Sequence, residues 1–299
     1  MVSVRVPAKI NLALGVGPRR DDGYHPLATV YHAVDLCDEV NAYPSDDASV
    51  SVDTHFDGRE NAVIPAGDGN LAVRAALALR EYAGIEAGAR LAIRKVIPVA
   101  GGMAGGSADA AAALTACADL WELSVTRETL EHIAAEIGSD VPFLLHGGTA
   151  MGDGRGERVS PVLARGFYTW VLALQEHGLS TAEVFAEFDR LDVRQHAPSV
   201  PDELLTALRA GDAELLGPAL SNDLHEAALS LSPRLERVFE IGGQCEALGS
   251  VLCGSGPTIA FLAADDRHAT DIAVALAASN ACADVVTASG PVPGARRIT

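Results

Sequence analysis

The chain opens on a two-residue rhythm, with Val2, Val4 and Val6 apolar and Ser3, Arg5 and Pro7 between them, the period of a β-strand. Residues 8–16 continue as an apolar extended stretch, and the cluster 18–23 turns it. Residues 29–40 and 48–52 predict two further strands separated by the Asp-rich loop 45–47, so the front of the molecule is β-rich. At Leu71 the rhythm changes. Leu71, Val73, Ala76, Leu77, Leu79 and Arg80 describe an amphipathic helix over 71–83, with Asn70 as its cap. Residues 90–96 predict a short strand ending at Pro98 and feeding a loop of small residues, after which an alanine-rich helix runs over 108–120. A helix over 127–137 is capped by Thr126 and ended by Gly138. The glycines of 147–156 predict a loop or hairpin near a lobe boundary.

Beyond that boundary, strand-like runs at 169–174, 250–253 and 258–263 alternate with helical ones at 182–189, 203–209, 232–241 and 269–278. Without regular βαβ repetition, this mixture predicts an α+β fold rather than a doubly wound sheet. Residues 195–201 and the last few positions are the candidates for disorder. At 299 residues and 48% hydrophobic content, the chain can build two lobes, each burying its own core.

Charge narrows the partners. A net charge of -18, from 40 acidic against 22 basic residues with no Lys/Arg run, excludes nucleic acid and anionic membrane surfaces as expected partners. It leaves nucleotides open, because backbone N–H groups, helix N-termini and magnesium supply positive potential locally. Cys37, Cys117, Cys245, Cys253 and Cys282 are scattered, odd in number and form no C-x-x-C, which predicts neither a disulfide framework nor a zinc site and fits a reducing cytoplasm. The polar N-terminus carries no signal-peptide pattern, and no apolar run has the length of a membrane span.

The strongest chemical signal is Pro98, Val99, Ala100, Gly101, Gly102, Met103, Ala104, Gly105, Gly106, Ser107 and Ala108. A strand leading through small residues into a helix leaves amides unobstructed at a helix N-terminus, which is a phosphate cradle. It has neither the Lys of a Walker A loop nor G-x-G-x-x-G spacing. Lys9 sits in an apolar strand and needs a partner; Asp140, just past a helix end, is equally hemmed in, and a Lys–Asp pair would account for both. The turn from Arg19 through Asp21-Asp22-Gly23 to Tyr24 and His25 is either a surface turn or a platform for a nucleobase. Cys253-Gly254-Ser255-Gly256-Pro257-Thr258 is a second small-residue turn, either a hairpin or a place where backbone approaches a ligand.

In kind and order these segments resemble the three motifs of the GHMP kinases: Pro7 to Leu12, Pro98 to Ala111, and Leu252 to Thr258. Arg20 to His25, Gly138 to Phe143 and Ser180 to Phe185 further resemble the branch acting on a cytidine-diphosphate-linked methylerythritol. The resemblance spans the chain. It implies a two-lobed GHMP kinase fold, with a ribosomal protein S5 domain 2-like, ATP-binding N-terminal lobe over 1–160 and an α+β, substrate-binding C-terminal lobe over 161–299. It implies Asp140 as general base, oriented by Lys9, and a substrate pocket of Asn11, Tyr24, His25, Thr181 and Phe185. ATP would lie on Asn70, Leu71, Lys95 and residues 98–108, with Mg2+ on Ser107. The implied reaction phosphorylates the 2-hydroxyl of that small-molecule substrate on the non-mevalonate route to isopentenyl diphosphate, in a cytoplasmic monomer or weak homodimer. Alternatives are a GHMP kinase for homoserine, mevalonate or a sugar, and a catalytically silent nucleotide-binding relative. Ala100, Ala104 and Asp109 depart from the family's run of glycines followed by Ser-Ser-Asn; the methyls restrict the backbone, and Asp109 brings negative charge toward the phosphates.

Overall fold

The opening alternation becomes a long antiparallel ladder between β1, Val2–Val16, and β2, Leu27–Pro44, in a computed structural model that describes residues 1–56, 64–65, 67–191 and 196–298. Two register irregularities interrupt this ladder, between Pro7 and Ala8 and between Asn11 and Ala13. They bracket Lys9 and Asn11, and such bulges commonly re-aim side chains beside functional sites. β4, Ala89–Lys95, joins the other edge of β2, and β3, Val50–Phe56, adds parallel to β4. β5, Thr149–Gly154, pairs with the first half of β2 and with β6, Arg158–Pro161, so the glycine-dense stretch is a hairpin arm of the same sheet.

Three helices cover this sheet: α1, Leu71–Ala83; α2, Gly105–Leu120; and α3, Arg127–Ile137. α1 and α3 keep their predicted bounds because their caps are local, Asn70 accepting from the Ala72 amide and Thr126 from the Thr129 amide. α2 starts three residues earlier than its alanine run, inside the glycine loop. Its alanines are fully buried, and their small size lets the helix lie close against β1 and β2. α4, Val141–His146, is a short helix that the pattern did not reveal.

The second sheet has the order β11, β7, β10, β9, with β7 at Tyr168–Leu174, β9 at Gly249–Leu252, β10 at Ile259–Ala263 and β11 at Asp284–Gly290. Around it lie α5, Thr181–Leu191; α6, Asp202–Ala210; α7, Ala213–Leu216; α8, His225–Leu231; α9, Arg234–Gln244; and α10, Asp266–Ser279. The architecture is the expected α+β one. The chain also returns to the first sheet, through β8, Ser221–Asn222, and β12, Arg296–Arg297, both paired with β1.

That return corrects the expectation of disorder at the C-terminus, since the Ile298 amide donates to the Ser3 carbonyl at 2.8 Å; Thr299 lies outside the described residues. Gln195 is likewise outside them, whereas Pro198 and Ser199 pack on Gly17 and Gly15 of the first sheet. Among the described residues no helix is long and apolar enough to cross a membrane.

Candidate active site

α1 and α3 are side-chain capped, and α2 is not. Its N-cap is Ala104, whose side chain cannot accept a hydrogen bond, and the first helical bond runs from the Ala108 amide to the Ala104 carbonyl. The amides before it are the orphan donors of a helix start, and Ala104, Gly105, Gly106 and Ser107 line a cleft of about 760 Å³. The departures from a glycine run therefore do not close the loop. Ala100 and Ala104 adopt φ of 53° and 59°, the left-handed conformation glycine would take freely, at roughly 1–2 kcal/mol each. Gly102 has no such latitude: a methyl there would lie 1.9 Å from the Cys253 carbonyl oxygen, so this loop and the turn after β9 touch through backbone.

Lys9 and Asn11, two residues apart on one face of β1, open into the same cleft. The Lys9 ammonium donates to Asn11 Oδ1 at 2.6 Å and lies 5.8 Å from the centre of the Tyr31 ring. Tyr31, stacked on Phe143 of α4, donates its hydroxyl to the Gly156 carbonyl at 3.3 Å. Burial, then the Asp140 carboxylate beside it, holds that phenol well above its ordinary pKa. Asp140 lines the cleft at the start of α4, and its side chain caps no amide of that helix. Among the described residues there is no Lys9–Asp140 ion pair. The expected partner is replaced by Asn11, with Tyr31 bordering both charged groups.

Tyr24, His25, Thr181 and Phe185 line the same cleft. His25 Nδ1 donates to the Gly17 carbonyl at 2.8 Å, its ring lies 5.1 Å from that of Phe185, and Nε2 faces Asp189 at 3.5 Å. Tyr24 is half exposed, with the Arg155 guanidinium 5.0 Å from its ring centre. Thr181 and Ser255 join hydroxyl to hydroxyl at 3.0 Å, tying α5 to the turn after β9.

Of the expected nucleotide contacts, Leu71, Pro98, Ala100, Gly101, Gly102, Ala104, Gly105, Gly106 and Ser107 line the cleft; Asn70, Lys95, Val99, Met103 and Ala108 do not. Asn70 is spent capping α1. Lys95 is buried beneath the loop, donating to Asp38, to Asp109 Oδ2 at 2.8 Å and to the Gly105 carbonyl at 2.9 Å. This corrects the expectation for Asp109 as well: its carboxyl faces Lys95, not the space where phosphates would lie. Tyr31, Arg155 and Asp189 also line the cleft and were not singled out. Only Arg155 had a local signal, a lone cation between Gly154 and Gly156.

The fold and the cleft define a GHMP kinase. The family model GHMP kinases N terminal domain matches residues 70–148, and GHMP kinases C terminal matches 204–282. The 4-diphosphocytidyl-2-C-methyl-D-erythritol kinase of Thermobifida fusca (strain YX) is 54% identical over 98% of this chain and 97% of its own length. A crystal structure of 4-(cytidine 5'-diphospho)-2C-methyl-D-erythritol kinase superposes with a TM-score of 0.76 at 34% identity, covering 96% of this chain and 98% of that one. Homoserine kinase from Cytophaga hutchinsonii, at 21% identity and a TM-score of 0.73 over 99% of this chain and 97% of its own, shares the fold. The chain belongs to the 4-diphosphocytidyl-2-C-methyl-D-erythritol kinase family.

Proposed function

We propose that the protein transfers the γ-phosphoryl group of ATP to the 2-hydroxyl of 4-diphosphocytidyl-2-C-methyl-D-erythritol, giving ADP and the 2-phosphate in the non-mevalonate route to isopentenyl diphosphate. The observation that carries the reading is one cleft lined both by the uncapped start of α2 and by Tyr24, His25 and Phe185, with Asp140 and Lys9 also in its walls. Phosphoryl transfer asks chiefly for positioning and charge stabilisation, which this division supplies.

The α2 amides and residues 98–107 hold the ATP phosphates. Asp140 receives the proton of the substrate hydroxyl as its oxygen attacks the γ-phosphorus and ADP departs. Lys9 offers positive charge to the oxygens on which negative charge gathers. Tyr24 and Phe185 flank the cytosine ring. His25, held by its Nδ1–H on Gly17 and with Nε2 facing Asp189, lies at the polar edge of the base. Asn11 and Thr181 hold the methylerythritol portion, and Arg155 brings positive charge to the substrate end.

Among the described residues no His/Cys/Asp/Glu cluster could hold a metal ion. Ser107 and Asp140, both in the cleft wall, are the side-chain oxygens that would hold a magnesium ion, and such an ion would neutralise phosphate charge. The lobe division is placed near 160/161, close to where β6 closes at Pro161 and before β7 opens at Tyr168, with β8 and β12 returning to the first sheet.

The test is ADP release from MgATP with 4-diphosphocytidyl-2-C-methyl-D-erythritol, set beside mevalonate, homoserine and galactose. Turnover with the cytidine compound alone is expected. Turnover with another alcohol discards the assignment of the pocket, and ATP binding without turnover on any of them discards the catalytic roles.

A further inference from the structure

We propose that Thr29 is a positioning residue that fixes the direction of the Asn11 carboxamide and, through it, the place of the Lys9 ammonium. The inference rests on reading Lys9 and Asn11 as part of the reactive end of the cleft. Thr29 lies on β2, fully buried and outside the cleft wall, so it touches no ligand.

Hydrogen-bond polarity sets the direction of the relay. The Ala13 carbonyl can only accept, and it takes the Thr29 hydroxyl proton at 2.7 Å. With its proton committed, Thr29 Oγ1 can only accept from Asn11, which it does from Nδ2 at 2.8 Å. The Asn11 amide is thereby held with Oδ1 toward Lys9, where it accepts from the ammonium at 2.6 Å. Turned over, the amide would set an N–H donor against the ammonium and its oxygen against the Thr29 hydroxyl, whose proton would be drawn away from the Ala13 carbonyl. A backbone carbonyl thus dictates, through two side chains, where a cation stands.

Packing keeps the relay in register. A methyl group on Gly152 would lie 3.0 Å from Thr29 Cγ2, so the Thr29 methyl rests on the glycine of β5. With both branches of Cβ placed, the hydroxyl has one direction left. On the far side, a methyl on Gly254 would sit 3.1 Å from Lys9 Nζ and 3.6 Å from Asn11 Oδ1, so backbone closes the space there.

The experiment compares Thr29→Val, which keeps the shape and removes the hydroxyl, with Thr29→Ser, which keeps the hydroxyl. Thr29→Val should lower kcat roughly 10- to 100-fold, the usual scale for a supporting hydrogen bond or a small misplacement of a reacting group. KM for ATP should hold, and Thr29→Ser should recover most of the rate. In protein labelled with 15N-asparagine, with Asn11 assigned by its loss in Asn11→Ser, one carboxamide proton should be protected from exchange in the wild type and in Thr29→Ser, and unprotected in Thr29→Val. Equal loss in both variants would assign Thr29 to packing alone. An unchanged rate in Thr29→Val, or a wild-type Asn11 with no protected proton, overturns the relay. If Thr29→Val does not fold, the wild-type spectrum decides. That spectrum also separates the two ideas: a protein that phosphorylates none of the alcohols refutes the reading of the cleft, while the protected proton still tests the relay.

Discussion

Two lysines stand buried on either side of the phosphate loop, Lys9 at 4% exposure and Lys95 at 3%. Beneath the loop, Lys95 has an acceptor for each of its three donors: Asp38, Asp109 and the Gly105 carbonyl. Asp38 in turn accepts the Val96 and Ile97 amides at 2.6 and 2.8 Å. Burial alone would depress Lys95, but the charges of Asp109 and Asp38 outweigh it and its pKa rises. Lys9 has a neutral amide and the flank of an aromatic ring, and it opens on the cleft. The contrast separates two uses of a buried cation. One that is fully answered by carboxylates is a brace between strand and helix, while one left short of acceptors beside a cavity is held for a ligand's charge.

The comparison is sharpest where the two lysines are exchanged for neutral residues. On the cleft side, Asp140→Asn should cost about 10²–10⁴ in kcat, the range of a lost general base, and Lys9→Ala should also lose turnover steeply. Neither should move the midpoint of chemical unfolding appreciably. Lys95→Met should do the reverse, stranding Asp38 and Asp109 without their cation and costing about 3–5 kcal/mol of stability. The readouts are kcat from ADP release and the midpoint of urea unfolding. A Lys95→Met protein as stable as the wild type, or a Lys9→Ala protein that turns over normally, removes the distinction.

The sequence could not draw it. Lys9 reads as a charge in an apolar β-run and Lys95 as one of three cations in another, and what distinguishes them lies far off in the chain, Asp38 being 57 residues before Lys95. Short-range signals survived folding best: the caps Asn70 and Thr126 predicted α1 and α3, and the order of the three motif segments carried the resemblance that implied a shared cleft. The start of α2 was hidden because glycines and a left-handed alanine do not look like a helix N-terminus. β11 and α8 owe their place to partners across the second domain and to no strong local period. The Lys9–Asp140 pair was the right pressure with the wrong relief: a buried ammonium did need an acceptor, and the nearest stood two residues along the same strand.

A third buried base tests the same logic by having no counter-charge at all. His32 is fully buried, with Nδ1 2.9 Å from Thr149 Oγ1 and its ring beside those of Tyr168 and Trp170. Burial pushes its pKa down to about 3. The folded value lies below the unfolded value near 6.5, so the unfolded chain binds the extra proton between them. The contribution is fully present above about pH 6.5 and is lost as pH falls toward 3, with a slope of at most about 1.4 kcal/mol per pH unit. Urea unfolding from pH 7 to pH 4 should therefore decline less steeply in His32→Gln than in the wild type. Parallel curves would mean that this imidazole finds a way to carry charge inside the fold.

The smallest effect should come from the residue that looked most damaging in the sequence. Asp109 is pushed up to about 8 by burial, against the opposing pull of Lys95 and with Asp38 adding to the rise. A carboxyl raised in this way gains little in the fold from its charge, and an amide reproduces its shape. Asp109→Asn can still offer an oxygen to Lys95 while its N–H₂ turns toward Asp38, so stability should change by less than about 1 kcal/mol near pH 4, where the folded carboxyl carries its proton. A raised acid pKa weakens the fold as pH climbs from about 4 to 8, because only the unfolded chain gives up its proton there. The variant should lack that component, so its stability should gain on the wild type's across this window. KM for ATP should stay where it was, since the carboxyl points to Lys95 rather than into the cleft. A marked fall in KM for ATP would instead mean that negative charge at 109 reaches the bound phosphates, and the brace beneath the loop would then be part of the site it supports.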